Sequence, residues 1–189
     1  MKLENPFLIE GAMVDTTFPY QIVLLTQYYS ISGGLFIHGQ RLSDFLNDRL
    51  DSTILLRNAS LARLEEPAKI LEKTPFSIIP KAGIVLAFEP PQKTTPPGRH
   101  FIKYPKQKYD VVLALDGMDV HGKLNVQGPL DLRQAITNLS ESFLPITEAT
   151  VTLLANPNLI LKREAVLVNV QRIRFLGELP KQEPPEEKA

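Results

Sequence analysis

The 189-residue chain contains no cysteine. This excludes disulfide bonds, thiolate nucleophiles, and zinc or iron–sulfur sites held by cysteine. The N-terminal segment lacks the basic start and apolar run of a signal peptide, and no run approaches the roughly 18 apolar residues of a membrane span. We therefore expect a cytoplasmic protein that has no membrane partner.

The chain also lacks net charge, because 21 Lys and Arg balance 21 Asp and Glu. The balance is uneven along the sequence: residues 1–89 hold 8 basic and 10 acidic residues, 90–108 hold 5 and 0, and 109–178 hold 6 and 8. A nucleic-acid-binding face spread over the two longer segments would need the opposite sign. Any attraction to phosphate is thus expected in the short basic segment.

What the chain does have is an internal repeat. Residues 20–39, YQIVLLTQYYSISGGLFIHG, align without a gap with residues 109–128, YDVVLALDGMDVHGKLNVQG, through six identities and three exchanges of Ile and Val. Such repetition predicts one small fold used twice. We predict a first β-rich unit at 1–89, a basic Pro-rich linker at 90–108, a second unit at 109–178 and a disordered tail at 179–189.

Each unit is predicted to open with a β-hairpin. In the first copy, strands over Gln21–Gln27 and Ser30–His38 flank a turn at Tyr28 and Tyr29. In the second copy the turn is Asp-Gly at 116–117, a strong signal for a two-residue hairpin. A glycine lies at the same place in both second strands, at 33 and 122, which indicates a bulge or a sharp bend.

A short one-sided helix follows each hairpin, with Asp131 placed as an N-cap in the second copy. Three further strands complete a β-β-α-β-β-β order. The predicted strands are Ile54–Leu64, Phe76–Ile79 and Ile84–Phe88 in the first unit, and Leu144–Leu154, Ala165–Val170 and Ile173–Leu176 in the second. The predicted fold class is mainly β with short helices (α+β), as two tandem small antiparallel β-barrel-like units.

Residues 109–124, YDVVLALDGMDVHGKL, together with 166–176, VLVNVQRIRFL, resemble the hairpin and closing strands of Sm-like barrels. The resemblance implies small barrels whose last two strands meet at a tight corner. Sm-like proteins bind RNA through a loop Asp-x-x-x-Asn set and an Arg-Gly pair at that corner. Here the corner positions are Pro80-Lys81 and Val170-Gln171, so the RNA-contacting residues do not carry over, and the helix between the second and third strands is a further departure.

A second resemblance rests on residues 41–47, RLSDFLN, and on 143–151, FLPITEATV. These segments are similar to the signature of an uncharacterised bacterial small-domain family, which would be present here in tandem. No activity is implied by that resemblance.

Residues suited to catalysis or metal binding are few. The three histidines, His38, His100 and His121, show no pair with the spacing of metal ligands, and neither His38 nor His121 has a histidine at the matching position of the other copy. We predict no catalytic residue, no metal and no cofactor. An enzyme of unknown class ranks third among the functions considered.

The leading prediction is a non-enzymatic binding or scaffold protein, because units as small as these are marginal alone and gain by packing as a pseudo-symmetric pair. Its partner is expected to be a protein or a second copy, and any site is expected at the seam between the two units. Exposed aromatic side chains and a basic ridge on the last strand supply the candidate partner-binding residues, Tyr28, Tyr29, Phe36, Arg172 and Arg174.

The alternative is a weak nucleic-acid-binding protein that uses the basic linker. Positive side chains there could follow a phosphate backbone while an aromatic ring stacks on a base. The candidate residues are Lys93, Arg99, Lys103, Tyr104, Lys106 and Lys108.

Overall fold

The computed structural model describes residues 20–37, 40–90, 106–137 and 142–180, except for the side chain of Ala135. The described chain is mainly β, which confirms the coarse fold prediction. Its two helices are α1 Leu42–Asn47 and α2 Leu132–Thr137. Its strands are β1 Tyr20–Leu25, β2 Tyr29–Leu35, β3 Thr53–Arg63, β4 Ile70–Pro80, β5 Leu86–Phe88, β6 Gln107–Leu115, β7 Met118–Val126, β8 Phe143–Leu153, β9 Asn156–Asn169 and β10 Ile173–Glu178.

These strands form one antiparallel sheet in the order β10-β6-β7-β8-β9-β5-β1-β2-β3-β4. The first half of the chain, β1 to β5, and the second half, β6 to β10, each occupy five adjacent places. In both halves the last strand lies beside the first, and the fourth strand lies at the far side. The halves meet where β5 pairs with β9, a junction that we call the seam.

The predicted irregularity at the two glycines is present, but the extra residue is on the neighbouring strand. Between the pairs Ser32↔Ser60 and Gly34↔Arg57, β3 has one residue more than β2. The same shift separates His121↔Thr150 from Lys123↔Thr147 on β7 and β8. The extra stretch brings the backbone of β3 or β8 close to the glycine, so these positions leave little room for a side chain.

The predicted N-cap of α2 is confirmed. The Asp131 carboxylate accepts hydrogen bonds from the backbone N–H of Arg133 at 2.9 Å and of Gln134 at 3.0 Å. On α1 the apolar face is formed by Leu42 and Leu46, both buried. Within the described residues neither helix has the length of a membrane-crossing helix.

A 3₁₀ turn links the last two strands of each half. The first corner is Lys81–Gly83 and the second corner is Val170–Arg172. They lie where the sequence predicted short links between the closing strands.

The hydrophobic core is shared between the halves. One cluster joins Val23, Leu25 and Phe88 of the first half to residues of β6, β7, β8 and β9. A second cluster lies mostly in the first half but includes Phe143 and Leu167 of the second. Each half therefore buries apolar surface that it could not cover alone.

Several predicted strand ends were wrong. Both β4 and β9 begin well before the predicted Phe76 and Ala165, and each contains a proline near or before the predicted start, at 75 and 157. β4 is an edge strand, where a missing N–H is tolerated, and Pro157 is only the second residue of β9. β6 begins at Gln107, inside the segment predicted as linker.

Candidate functional site

The seam is built on the shortest strand of the sheet. β5 has three residues and lies between β1 and β9, so it is buried on every side. Leu86 pairs with Val168 and Ala87 with Leu167. The backbone N–H of Asn169 extends the pairing by donating to the carbonyl of Val85 at 3.0 Å.

A side chain of α1 reinforces the seam. The Asn47 amide donates to the carbonyl oxygen of Phe143 at 3.1 Å, and its side-chain oxygen accepts the N–H of Phe143 at 2.7 Å. Both bonds cross from the first half to the first residue of β8. Because they satisfy a donor and an acceptor at a strand end, they fix β8 relative to the helix.

The buried side chain of Asn169 joins the two corners. Its amide nitrogen donates to the carbonyls of Ile84 at 2.8 Å and Lys81 at 3.3 Å, while its oxygen accepts the N–H of Gln171 at 3.0 Å. One amide therefore serves the first corner with its donors and the second corner with its acceptor.

Lys81, another buried polar residue, ties the first corner to α1. Its ammonium group donates to the carbonyls of Phe45 at 3.0 Å and Asp48 at 2.8 Å, at the C-terminal end of that helix. Burial lowers the pKa of Lys81, while the charges of Asp48 and Asp51 act in the opposite direction. These bonds give Lys81 a structural role.

A cleft of about 740 Å³ opens along the seam. Its walls come from both halves and carry charges of both signs. The charged lining residues are Arg41, Glu89, Lys162, Arg163 and Glu164, and the apolar ones include Leu42, Phe88 and Leu167.

Arg163 is the most unusual side chain of this cleft. Its guanidinium carbon lies 4.7 Å from the centroid of the Phe88 ring, and Nη1 donates to the carbonyl of Lys162 at 2.8 Å. Nε and Nη2 are buried and make no hydrogen bond to another described residue. Burial lowers the pKa of Arg163, yet an arginine stays charged in proteins.

Four of the five predicted partner-binding residues lie near one pair of adjacent turns. Tyr28 and Tyr29 are exposed at the β1–β2 turn, although Tyr29 begins β2 and does not lie in the turn as predicted. The β6–β7 turn lies against this one, because a Cβ built on Gly117 would be 3.1 Å from the carbonyl oxygen of Gln27. Phe36 is exposed near the opposite end of β2.

The two predicted arginines are held by Asp116 of the β6–β7 turn. Arg174 donates to its carboxylate through Nε at 2.7 Å and Nη2 at 3.1 Å, and Nη1 of Arg172 lies 3.5 Å from Oδ2. Arg172 also donates to the carbonyl of Ala82 through Nε at 2.9 Å and through Nη2. The hydrogen bond from Arg174 is the largest cause of a lowered pKa of Asp116. Since both cations are paired, they have less to offer a partner than the sequence suggested.

Most of the predicted nucleic-acid-binding set, Lys93, Arg99, Lys103 and Tyr104, lies outside the described residues. Lys106 is exposed immediately before β6. Lys108 is 2.8 Å from a carboxylate oxygen of Glu148, and this hydrogen bond is the largest cause of a lowered pKa of Glu148. The nucleic-acid hypothesis stays a prediction.

No group of three or more potential metal-ligating side chains occurs among the described residues. His121 is exposed on β7, whereas His38 and His100 lie outside the described part of the chain. The prediction that the chain is not an enzyme remains untested.

Sequence reasoning missed the residues that build the seam. Asn47 belongs to the RLSDFLN signature and Asn169 precedes the second corner, but both bind groups more than 80 positions away along the chain. The burial of two nitrogens of Arg163 was likewise not predicted. A buried amide or guanidinium has no local pattern that distinguishes it from an exposed one.

Comparison of the chain with protein-family models, with curated proteins and with solved structures gives no match.

Proposed function

We propose that this chain is a non-enzymatic scaffold, made of two tandem barrel-like copies of one ancestral unit, that binds protein partners through its sheet. The observation that carries the proposal is the exposure of large apolar side chains on the two strands that end the sheet. On β4 these include Phe76 and Ile78, and on β10 the residue is Phe175. Apolar groups clustered at such positions favour contact with another protein.

The charged side chains support binding over catalysis. The Asp116 carboxylate is held by two arginines, and the Lys81 ammonium by helix carbonyls. Groups engaged in this way stabilise the fold and are poorly placed to transfer protons to a substrate. The exposed apolar edges are then the surface best suited to a partner.

The native mass of the protein in a gentle extract of its own host tests the proposal. We expect it to elute well above the 21.2 kDa of one chain. Replacement of Phe76 and Ile78 by Ser should shift elution toward that mass. The control is Leu154→Ser, since Leu154 is similarly exposed but lies in the turn between β8 and β9. Elution of the wild-type protein at the mass of one chain would overturn the scaffold function.

A further inference from the structure

The seam joins two different kinds of sheet edge. Within its half, β5 is the outer strand on one side, and β9 is the outer strand on the other side of its own half. Their pairing uses one edge of each half. Among the strands of the described residues, the two edges left over are those of β10 and β4, which end the sheet.

β10 occupies the same position in the second half as β5 does in the first half. Both strands follow a corner, and both pair antiparallel with the first strand of their half in the same register. The matched pairs are Leu86↔Leu25 with Phe175↔Ala114, Ala87↔Leu24 with Leu176↔Leu113, and Phe88↔Val23 with Gly177↔Val112.

β4 corresponds to β9 in the same way. Both precede a corner and pair with the third strand of their half. The matched pairs are Ile78↔Leu55 with Leu167↔Pro145, and Ile79↔Ile54 with Val168↔Leu144. The free edges of the chain therefore repeat the two edges that meet in the seam.

Residues at the seam are buried, whereas their counterparts on the β10 and β4 edges are exposed. Leu86 has 0% of its surface exposed in the seam, whereas its counterpart Phe175 is 57% exposed. Leu167 is 7% exposed, whereas its counterpart Ile78 is 70% exposed. Apolar side chains thus occupy positions on both free edges that a second seam would cover.

We propose that the β10 edge of one copy pairs antiparallel with the β4 edge of a second copy, so that chains assemble head to tail. Repeating the register of the seam puts Phe175 opposite Ile79 and Leu176 opposite Ile78. β10 ends at Glu178, one residue beyond the position that matches Phe88 at the end of β5. This inference rests on the proposed scaffold function and names its partner as the chain itself.

The junction between copies is weaker than the seam, because its polar contacts are not repeated. Pro80 replaces Asn169, so the hydrogen bond to the carbonyl of Val85 has no equivalent. Thr137 stands at the position of Asn47, and Thr74 at that of Arg163. We therefore expect an assembly that dissociates on dilution, whereas the seam within each chain stays closed.

Complementation between edge variants of the purified full chain tests the proposal. Ile78→Lys places a charge on the β4 edge and Phe175→Lys places one on the β10 edge. Native mass spectrometry should find the wild-type protein as multiples of 21.2 kDa and each variant alone as a single chain. Mixed in equal amounts, the two variants retain one intact edge each, so they should form a dimer of one copy of each, about 42 kDa.

The matched control is Leu154→Lys, which leaves both edges intact and should assemble like the wild-type protein. A wild-type protein that is one chain at every concentration would overturn the proposal, and so would an edge variant that assembles with itself like the wild type. If the purified protein is a single chain while the protein in the host extract is larger, the scaffold function stands and self-assembly fails.

Single cysteines provide a second test that does not depend on the charged variants folding. The chain has no cysteine of its own, so a chain with Leu176→Cys can be mixed with one carrying Ile78→Cys. Oxidation should link the two in preference to either with itself. A partner carrying Leu154→Cys in place of Ile78→Cys should cross-link no better than chance, and equal yields in the two mixtures would contradict the pairing.

Discussion

Gly122 and Gly33 hold equivalent places but differ in how tightly they are enclosed. A Cβ built on Gly122 would lie 2.6 Å from Cγ2 of Ile146 and 2.8 Å from the carbonyl oxygen of Thr147. At Gly33 the shortest such distance is 3.1 Å, to the carbonyl oxygen of Arg57. The bulged neighbour strand therefore approaches more closely in the second half.

We predict that Gly122→Ala lowers the free energy of unfolding by about 2 to 3 kcal/mol, and Gly33→Ala by about 1 kcal/mol, because an overpacked site must shift its backbone. Urea titration of the two variants provides the measurement. Equal losses would show that the closer approach at Gly122 has no energetic consequence.

Asp116 offers a residue-scale test by pH. Asn is also favoured before Gly in a hairpin turn, so Asp116→Asn removes the charge and keeps the turn. We expect it to destabilise the protein by about 1 kcal/mol near neutral pH, a modest value because the ion pair is partly solvated.

The sign of its pH dependence follows from the lowered pKa of Asp116. The folded state favours the ionised carboxylate, so its contribution is complete above the ordinary Asp pKa near 3.8 and is lost as the pH falls through the lower folded value. The gap in melting temperature between wild type and Asp116→Asn should be constant from pH 7 to about pH 5 and close below about pH 4. A gap that widens in acid would contradict the assignment.

The sequence predicted residue roles best where the cause is local. The Asp131 cap and the turn at Asp116 follow from chemistry within a few positions, and both are present. Asn47 and Asn169 were missed because each donates hydrogen bonds to backbone carbonyls of the other half of the chain. A contact of that range depends on the topology and leaves no local pattern.

At the scale of elements, α1 does more than cover the core. Its last residue, Asn47, makes the two hydrogen bonds to the Phe143 backbone that hold β8 at the seam. The equivalent residue of α2 is Thr137, whose hydroxyl donates to the carbonyl of Arg133 within the same helix.

We predict that Asn47→Ala lowers the free energy of unfolding by about 1 to 3 kcal/mol, because it leaves a strand-end donor and acceptor without partners. Thr137→Ala is the matched control and should cost less than about 0.5 kcal/mol. Chemical denaturation measures the free energy of unfolding of both variants. Similar decreases in the two variants would mean that α1 does not anchor the seam.

The mainly β content with few short helices was predictable, since apolar periodicity and turn chemistry indicated strands along most of the described chain. Strand length was not. β4 and β9 continue through prolines because one lies on a sheet edge and the other near a strand start, and the sequence does not reveal which strand lies at an edge. The pairing of the short β5 with β9 was likewise beyond a local pattern.

On the scale of the whole molecule, the seam converts two halves into one continuous sheet with unlike ends. Everything proposed for the free edges depends on the register in which β5 meets β9. That register places Ala87 opposite Leu167, with both side chains in the same core cluster.

A cysteine pair at these two positions tests that arrangement most directly, since directly opposed residues of antiparallel strands are close enough for a disulfide after small adjustments. The variant Ala87→Cys with Leu167→Cys should form a disulfide within one chain. It should then lose both free thiols and still migrate as a single chain on a non-reducing gel. Free thiols that persist in the folded protein, or cross-links that form only between chains, would show that the halves are not joined in this way.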